Sequence, residues 1–177
     1  MARTLLLFSL FLVPIFFHST HAGGRMDSYI WALNDAEEKI MALANAVPEE
    51  KYSWRPAEGV RSVGEVYMHI VSANCYFPTL IGMKPPEGFS QELDKTVTKK
   101  ADIITWLKKS FDQSRKAITT ASDEALAKKV DFFGTETTGE GALMIMVTHM
   151  HEHLGQSIAY ARSNGIVPPW SAKQNQK

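Results

Sequence analysis

Apolar residues recur at the spacing of an α-helix in four separate segments, and this pattern constrains the fold more than any other feature. The segments cover about residues 26–46, 62–78, 98–120 and 140–163. In the first, the apolar positions are three, four and seven residues apart: Ile30, Leu33, Ile40, Leu43 and Val47. Such a period places them on one face of a helix. Four amphipathic helices of this length predict an all-α fold, a four-helix bundle with long connections.

Capping and helix-breaking residues indicate where these segments begin and end. Ser62 and Glu65 have the spacing of a capping box, with Ser62 as the N-cap of the second helix. Pro48 follows the first segment, and Asn164-Gly165 follows the last. Residues 130–133 are predicted to be extended or irregular and residues 134–141 to form a polar loop, with no strand pair. Pro168-Pro169 is expected to prevent a further helix, and residues 171–177 are expected to fray.

The first 22 residues are predicted to be a secretory signal peptide. Arg3 precedes the apolar run Leu5–Phe17, and Thr20 and Ala22 would lie at positions −3 and −1 of a cleavage site. A run of this length makes only about 20 Å of helix, short of the roughly 30 Å of a hydrocarbon core. The alternative is an uncleaved membrane anchor. The signal peptide predicts an exported protein, periplasmic or secreted, with a domain over residues 23–170 and no stable membrane span after cleavage.

The charge balance and the single cysteine exclude several classes of protein. The chain has 19 Lys and Arg against 19 Asp and Glu, so its net charge is zero. A neutral chain without a basic stripe gives no electrostatic basis for nucleic-acid binding. Cys75 is the only cysteine, which excludes an intramolecular disulfide framework and a cysteine-rich zinc module.

Three histidines fall on the predicted inner faces of two helices. His149 and His153 are four residues apart, so both project from one face of the fourth helix. His69 lies within the apolar stripe of the second helix, whereas His151 is expected on the opposite side of the fourth. Three inward histidines predict a metal site with open coordination positions, suited to zinc, nickel, iron or copper. The alternative is that they are ordinary core or surface histidines.

A second motif overlaps this pair. Residues 149–153 read His-Met-His-Glu-His and match the H-x-x-E-H pattern of inverzincin peptidases, in which Glu152 would be the general base. Those sites also need an acidic third ligand downstream, and no Asp or Glu follows Glu152 in this chain. The peptidase interpretation is therefore disfavoured, although Glu152 remains a candidate acid–base group.

Three separated blocks of the sequence resemble the DinB-like (damage-inducible, YfiT-related) superfamily. The blocks are Ser53-Trp-Arg-Pro56 with Gly59-Val-Arg-Ser62, then His69, then His149-x-x-x-His153-x-Gly-Gln156 with the residues up to Gly165. The resemblance covers about residues 27–170. It implies a four-helix bundle with a divalent metal held by His69, His149 and His153. It also implies that Gln156 orients the site from behind a ligand.

The resemblance implies a metal-dependent enzyme without fixing its reaction. Characterised branches of the superfamily include bacillithiol-linked S-transferases and a mycothiol-dependent isomerase. For this chain we expect a metalloenzyme, S-transferase-like or hydrolase-like, acting on an unidentified small molecule. Zinc is the first choice of metal, with nickel or iron as alternatives. A non-catalytic metal- or ligand-binding bundle remains open. A homodimer is also open, with Trp31, Trp54, Trp106 and Trp170 as candidate anchors, although a Trp is more often a core residue.

Overall fold

The computed structural model describes residues 22–174 of the 177-residue chain. The predicted signal segment, apart from Ala22, lies outside the described residues, and so do the last three residues of the predicted frayed tail. Between residues 22 and 174, no helix is long and apolar enough to cross a membrane.

The regular secondary structure of the described residues is helical apart from one small hairpin, and the predicted all-α four-helix bundle is confirmed. In chain order the elements are α1 (Ala22–Ala46), a 3-10 turn (Glu49–Lys51), α2 (Val63–Leu80), α3 (Leu93–Thr96), α4 (Lys100–Thr120), α5 (Asp123–Ala127), β1 (Lys129–Phe132), β2 (Thr135–Thr138), α6 (Gly139–Ser163) and α7 (Pro169–Gln174). The four long helices α1, α2, α4 and α6 form the bundle and enclose the apolar core.

The order of the helices around the bundle differs from a simple up-and-down arrangement. Helix α1 packs on α4 and α6, and α2 packs on the same two helices. Helices α1 and α2 therefore lie diagonally opposite each other, as do α4 and α6. The long Gly- and Pro-containing linker after α2 joins the neighbours α2 and α4. The connections that join diagonally opposite helices are instead the one between α1 and α2 and the one between α4 and α6. As a result, α2 lies directly beside α6.

Local hydrogen bonds fix the beginning of α2, as the capping box predicts. The Ser62 hydroxyl accepts from the backbone N–H of Glu65 at 3.3 Å, and the Ser62 N–H donates to the Glu65 carboxylate at 2.7 Å. In the connector before α2, the buried Tyr52 hydroxyl donates to the Ala44 carbonyl at 2.7 Å. These bonds fix where α2 begins and tie the connector before it to α1.

Residues 129–138 form an antiparallel hairpin, so the expectation of no strand pair and of a loop over 134–141 is wrong. Strand β1 pairs with β2 from Lys129↔Thr138 to Phe132↔Thr135. The two residues between them, Phe133 and Gly134, both have positive φ, 52° and 85°. This is the geometry of a type I′ turn, which usually has Asn-Gly or Asp-Gly at these positions. A non-glycine residue there costs about 1–2 kcal/mol. The unusual Phe-Gly pair explains why the sequence did not signal a hairpin.

The C-terminal tail also differs from expectation. Helix α7 begins at Pro169 and continues to Gln174, so residues 171–174 are helical where fraying was predicted. Proline is favoured at the first position of a helix, where its missing N–H has no partner to lose, so Pro168-Pro169 can start a helix. Among the tryptophans, Trp31 is 72% exposed and is not a core residue. The other three, Trp54, Trp106 and Trp170, are partly buried against the core.

Candidate metal centre

The three predicted histidines meet where α2 packs on α6. His69 comes from α2, and His149 and His153 come from successive turns of α6. Their rings approach one another edge to face, with centroids 4.9 Å apart for His69–His149, 4.7 Å for His69–His153 and 4.4 Å for His149–His153. The helical spacing of four predicted the contact between His149 and His153. Only the packing of α2 beside α6 could supply the two contacts of His69.

The three imidazoles present the same nitrogen to a common point. His149 Nε2 lies 3.1 Å from His69 Nε2 and 3.1 Å from His153 Nε2. The ligand atoms of all three residues lie within 4.8 Å of one another. Two nitrogens that bind one zinc ion at about 2.0–2.1 Å stand roughly 3–3.5 Å apart. The spacing of this cluster therefore fits a single divalent cation held by three imidazoles.

Burial keeps two of these imidazoles uncharged. Desolvation lowers the pKa of His69 to about 4, with further lowering by the Arg61 guanidinium and by His153. Desolvation also lowers the pKa of His149 to about 4, aided by His153 and His69 and opposed by the carboxylate of Glu152. At neutral pH both rings are neutral, which is the form that binds a metal.

A chain of hydrogen bonds holds the third ring. The Nδ1–H of His153 donates to Oε1 of Gln156 at 2.8 Å, and Nε2 of Gln156 donates to the Tyr160 hydroxyl at 3.0 Å. That hydroxyl donates to the backbone carbonyl of Arg61 at 3.2 Å, just before α2. With its proton on Nδ1, His153 turns the Nε2 lone pair toward the other two rings. Gln156 therefore contacts His153 on the side of the ring away from Nε2, and its role behind a metal ligand stays a prediction.

A cavity of about 420 Å³ opens onto this cluster. His69 and His149 lie in its wall, and most of the remaining wall is apolar, formed mainly by Tyr76, Phe77, Phe89, Phe132 and Phe133. Phe132 and Phe133 come from the hairpin. The hairpin therefore borders the site through these two residues, and no residue of the predicted loop 134–141 lines the cavity. A second cavity of about 540 Å³, lined by Arg55, Arg61 and Lys95 among others, contains none of the three histidines. Asp94 lines both cavities.

Comparison with known protein families agrees with this arrangement. The sequence profile of the DinB superfamily matches residues 32–157, a stretch that includes all three histidines. The chain belongs to the DinB superfamily. The resemblance of the three sequence blocks is thereby confirmed.

Individual proteins resemble the chain in sequence, in fold or in both. The uncharacterised protein YjoA of Bacillus subtilis is 27% identical over 126 residues, which cover 70% of this chain and 80% of YjoA. A DinB-like protein of Bacillus cereus superposes with a TM-score of 0.70 at 25% identity, over 81% of this chain and 95% of that one. YfiT of Bacillus subtilis, described as a probable metal-dependent hydrolase with an unusual four-helix bundle topology, superposes with a TM-score of 0.64 at 15% identity, over 85% and 93% of the two chains.

Glu152 and His151, which the sequence analysis also considered on α6, lie apart from the histidine cluster. Glu152 is exposed and does not line the cavity that opens onto the histidines. Its carboxylate still raises the pKa of His149 through space, against the larger lowering by burial. His151 is half-buried on another side of α6, with Nδ1 2.8 Å from the Val147 carbonyl. Its Nε2 lies 3.9 Å from the Asp35 carboxylate.

Several residues of the site were not predicted as site residues. Tyr160 is one of them: its hydroxyl links Gln156 to the backbone carbonyl of Arg61. The sequence did not show that the aromatic residues of the cavity share one site, because they come from three separate parts of the chain. One available signal was the pair Phe132-Phe133 before Gly134, since two adjacent aromatic residues at a turn cannot both face a core.

Proposed function

We propose that this DinB protein is a divalent-metal-dependent hydrolase of small molecules, with the cation held by His69, His149 and His153. The observation that supports the proposal most directly is the convergence of three Nε2 atoms on one point beside an open cavity. Three protein ligands leave coordination positions free, which is typical of catalytic rather than structural zinc. We propose zinc as the first choice, with nickel or iron as alternatives.

Each part of the site has a defined task in this proposal. A bound divalent cation lowers the pKa of water and polarises a substrate carbonyl or phosphoryl oxygen. Burial keeps His69 and His149 neutral and therefore available as ligands. Gln156 holds the proton of His153 on Nδ1, so that this ring keeps its orientation. The apolar wall excludes water from one side of the substrate.

The acid–base role of Glu152 and the exported location both remain proposals. Glu152 stands one position before His153 and is exposed, so it could exchange protons with solvent. A Glu152→Gln variant tests that role separately from metal binding. The location is proposed from the signal peptide predicted over residues 1–22.

The first experiment measures metal content and compares four proteins. The chain is purified without an added histidine tag, loaded with zinc, dialysed and examined by elemental analysis. We expect about one zinc per chain in the wild type and substantial loss in His149→Ala and in His153→Ala. The matched control is His151→Ala, which removes a histidine from the same helix outside the cluster and should retain the metal. Stoichiometric metal in all four proteins would place the binding site elsewhere.

The second experiment asks whether the metal-loaded protein turns over substrates. A panel of aryl and alkyl esters and amides is assayed with the wild type and the same three variants. Turnover by the wild type and His151→Ala, with loss in His149→Ala and His153→Ala, supports a hydrolase. A parallel panel offers electrophiles together with a low-molecular-weight thiol, and turnover only there would indicate an S-transferase. A metal-loaded protein inactive in both panels would favour a binding function.

A further inference from the structure

The turn of the hairpin presents a large apolar side chain to solvent in a backbone conformation that seldom accommodates one. Phe133 has φ 52° and is 78% exposed. Asparagine or glycine would suit a type I′ turn better, so the hairpin does not need a phenylalanine here. The core does not need it either, because the side chain lies largely outside. Strained positions of this kind are found disproportionately at functional sites.

Phe133 is the outer end of a continuous aromatic wall that leads to the histidine cluster. Its ring stacks on Tyr76, with centroids 5.6 Å apart, and meets Phe132 edge to face at 4.8 Å. Phe132 stacks on Phe77 at 5.2 Å, and the Phe77 ring lies 6.1 Å from that of His149. The exposed phenylalanine thus extends the wall beyond the part that the bundle itself buries.

The same cavity contains polar atoms that lack partners within the protein. Oγ of Ser72 and Oδ1 of Asp94 are buried and make no hydrogen bond with any described residue. Both residues line the cavity together with the aromatic wall. Buried polar atoms normally have a hydrogen-bond partner, so a ligand with a hydrogen-bond donor could supply the partner that these two oxygens lack. Cavities of this volume hold small organic molecules.

We propose that the cavity selects substrates with a flat aryl group, and that Phe133 is the residue that determines this specificity. The aryl group lies against the aromatic wall, and the polar, reactive group of the substrate faces the histidines and Ser72. This inference rests on the proposed function, since it assigns the substrate class of the same site. An aryl amide or a similar compound with an N–H or O–H donor is the chemistry that fits both surfaces.

The test compares two metal-binding probes that differ only in the group offered to the wall. Benzohydroxamate and acetohydroxamate are titrated calorimetrically into zinc-loaded wild type, Phe133→Asn, Phe133→Ala and Trp31→Ala. We expect the wild type to bind benzohydroxamate at least about tenfold more tightly than acetohydroxamate, because a buried ring adds apolar contact. Both Phe133 variants should lose most of this preference. Trp31→Ala, which removes an equally exposed aromatic residue outside the cavity, should keep it.

Unfolding measurements and a metal-free arm separate the possible failures. Phe133→Asn should unfold at the same or a higher denaturant concentration than the wild type, since asparagine tolerates the turn conformation. Lost preference in a protein of undiminished stability then reports on the cavity and not on folding. Equal binding of the two hydroxamates to the zinc-loaded wild type would overturn the inference while leaving the metal site intact. If the protein retains no metal, the proposed function fails. In that case 2-naphthol is titrated into the metal-free wild type and into metal-free Phe133→Asn. Equal affinity of the two proteins for 2-naphthol would reject the inference.

Discussion

The two sides of the cavity are built in different ways. The histidine side consists of residues on two long helices of the bundle, held by a buried core and by the chain from His153 through Gln156 and Tyr160. The hairpin side consists of two four-residue strands and a two-residue turn, with Phe133 exposed at its tip. The helices of the first side pack on the core along most of their length, whereas the hairpin packs on the bundle over a small area, so we expect the first side to be the more rigid.

This difference suggests a division of tasks within the site. Metal ligands must be placed to within fractions of an ångström, and helices packed across a core provide that accuracy. A hairpin at the edge of the bundle can change its turn residues without disturbing the core. We therefore expect substitutions on the histidine side to alter metal binding, and substitutions on the hairpin side to alter the choice of ligand.

The largest expected effect is the stabilisation of the histidine side by metal. At a zinc concentration about 1,000 times its Kd, the free energy of unfolding should rise by about 4 kcal/mol. For a domain of this size, that corresponds to an increase in Tm of about 10 °C. The His149→Ala variant lacks one of three ligands, which should weaken zinc binding by about a hundredfold. At the same zinc concentration its gain should then fall to about a third of the wild-type value.

Calorimetric melting with and without zinc measures both proteins. His151→Ala again serves as the control and should show the full wild-type gain. An equal gain in wild type and His149→Ala would mean that the cation stabilises some other part of the molecule, and the proposed difference between the two sides of the cavity would lose its basis.

A smaller effect is expected from the residue behind His153. Gln156→Leu removes the acceptor of the Nδ1–H and leaves this nitrogen of a buried ring without a partner. The loss of such a partner typically weakens metal binding by about 10- to 100-fold. Gln156→Glu keeps an acceptor oxygen at the same position and should retain most of the affinity. The measurement is a zinc titration in competition with a chelator, and equal affinities for Leu and Glu would show that the hydrogen bond does not orient the ring.

The histidine side could largely be predicted from the sequence. The spacing of four placed His149 and His153 on one face, and the apolar stripe placed His69 on an inner face of α2. Both inferences use only local periodicity, which depends on the geometry of a single helix. The capping box of α2 was visible for the same reason. The resemblance of three blocks to the DinB family indicated that these faces meet, which local patterns alone could not show.

The hairpin side could not be predicted, for physical reasons that particular residues illustrate. Strand β1 has only four residues, and a strand that short shows little alternation. The turn contains Phe133 in place of the asparagine or aspartate that usually signals a type I′ hairpin. The wall itself combines Tyr76 and Phe77 of α2, Phe89 of the linker and two hairpin residues, and these meet only after the bundle has formed. Likewise, Trp31 has the character of a core residue but falls on the outer face of α1.

The smallest expected effect tests whether the histidine side depends on the local stability of α2. The hydrogen bond from the Ser62 N–H, followed by the effect of Arg55, lowers the pKa of Glu65 below its ordinary value of 4.5. Because the pKa is lower in the folded state, the stabilisation is complete above pH 4.5 and disappears as the pH falls through the lowered value. Glu65 is largely exposed, and a carboxylate at a helix N-terminus contributes about 0.3–1 kcal/mol. Urea unfolding should therefore show Glu65→Gln to be slightly less stable than the wild type at pH 7, and the free energies of unfolding of the two proteins should become equal in acid.

Zinc affinity of Glu65→Gln at pH 7 should be unchanged, because the core still fixes the rotation of α2 and the position of His69. A lower zinc affinity in Glu65→Gln would mean that the cap, and not the core, positions this ligand.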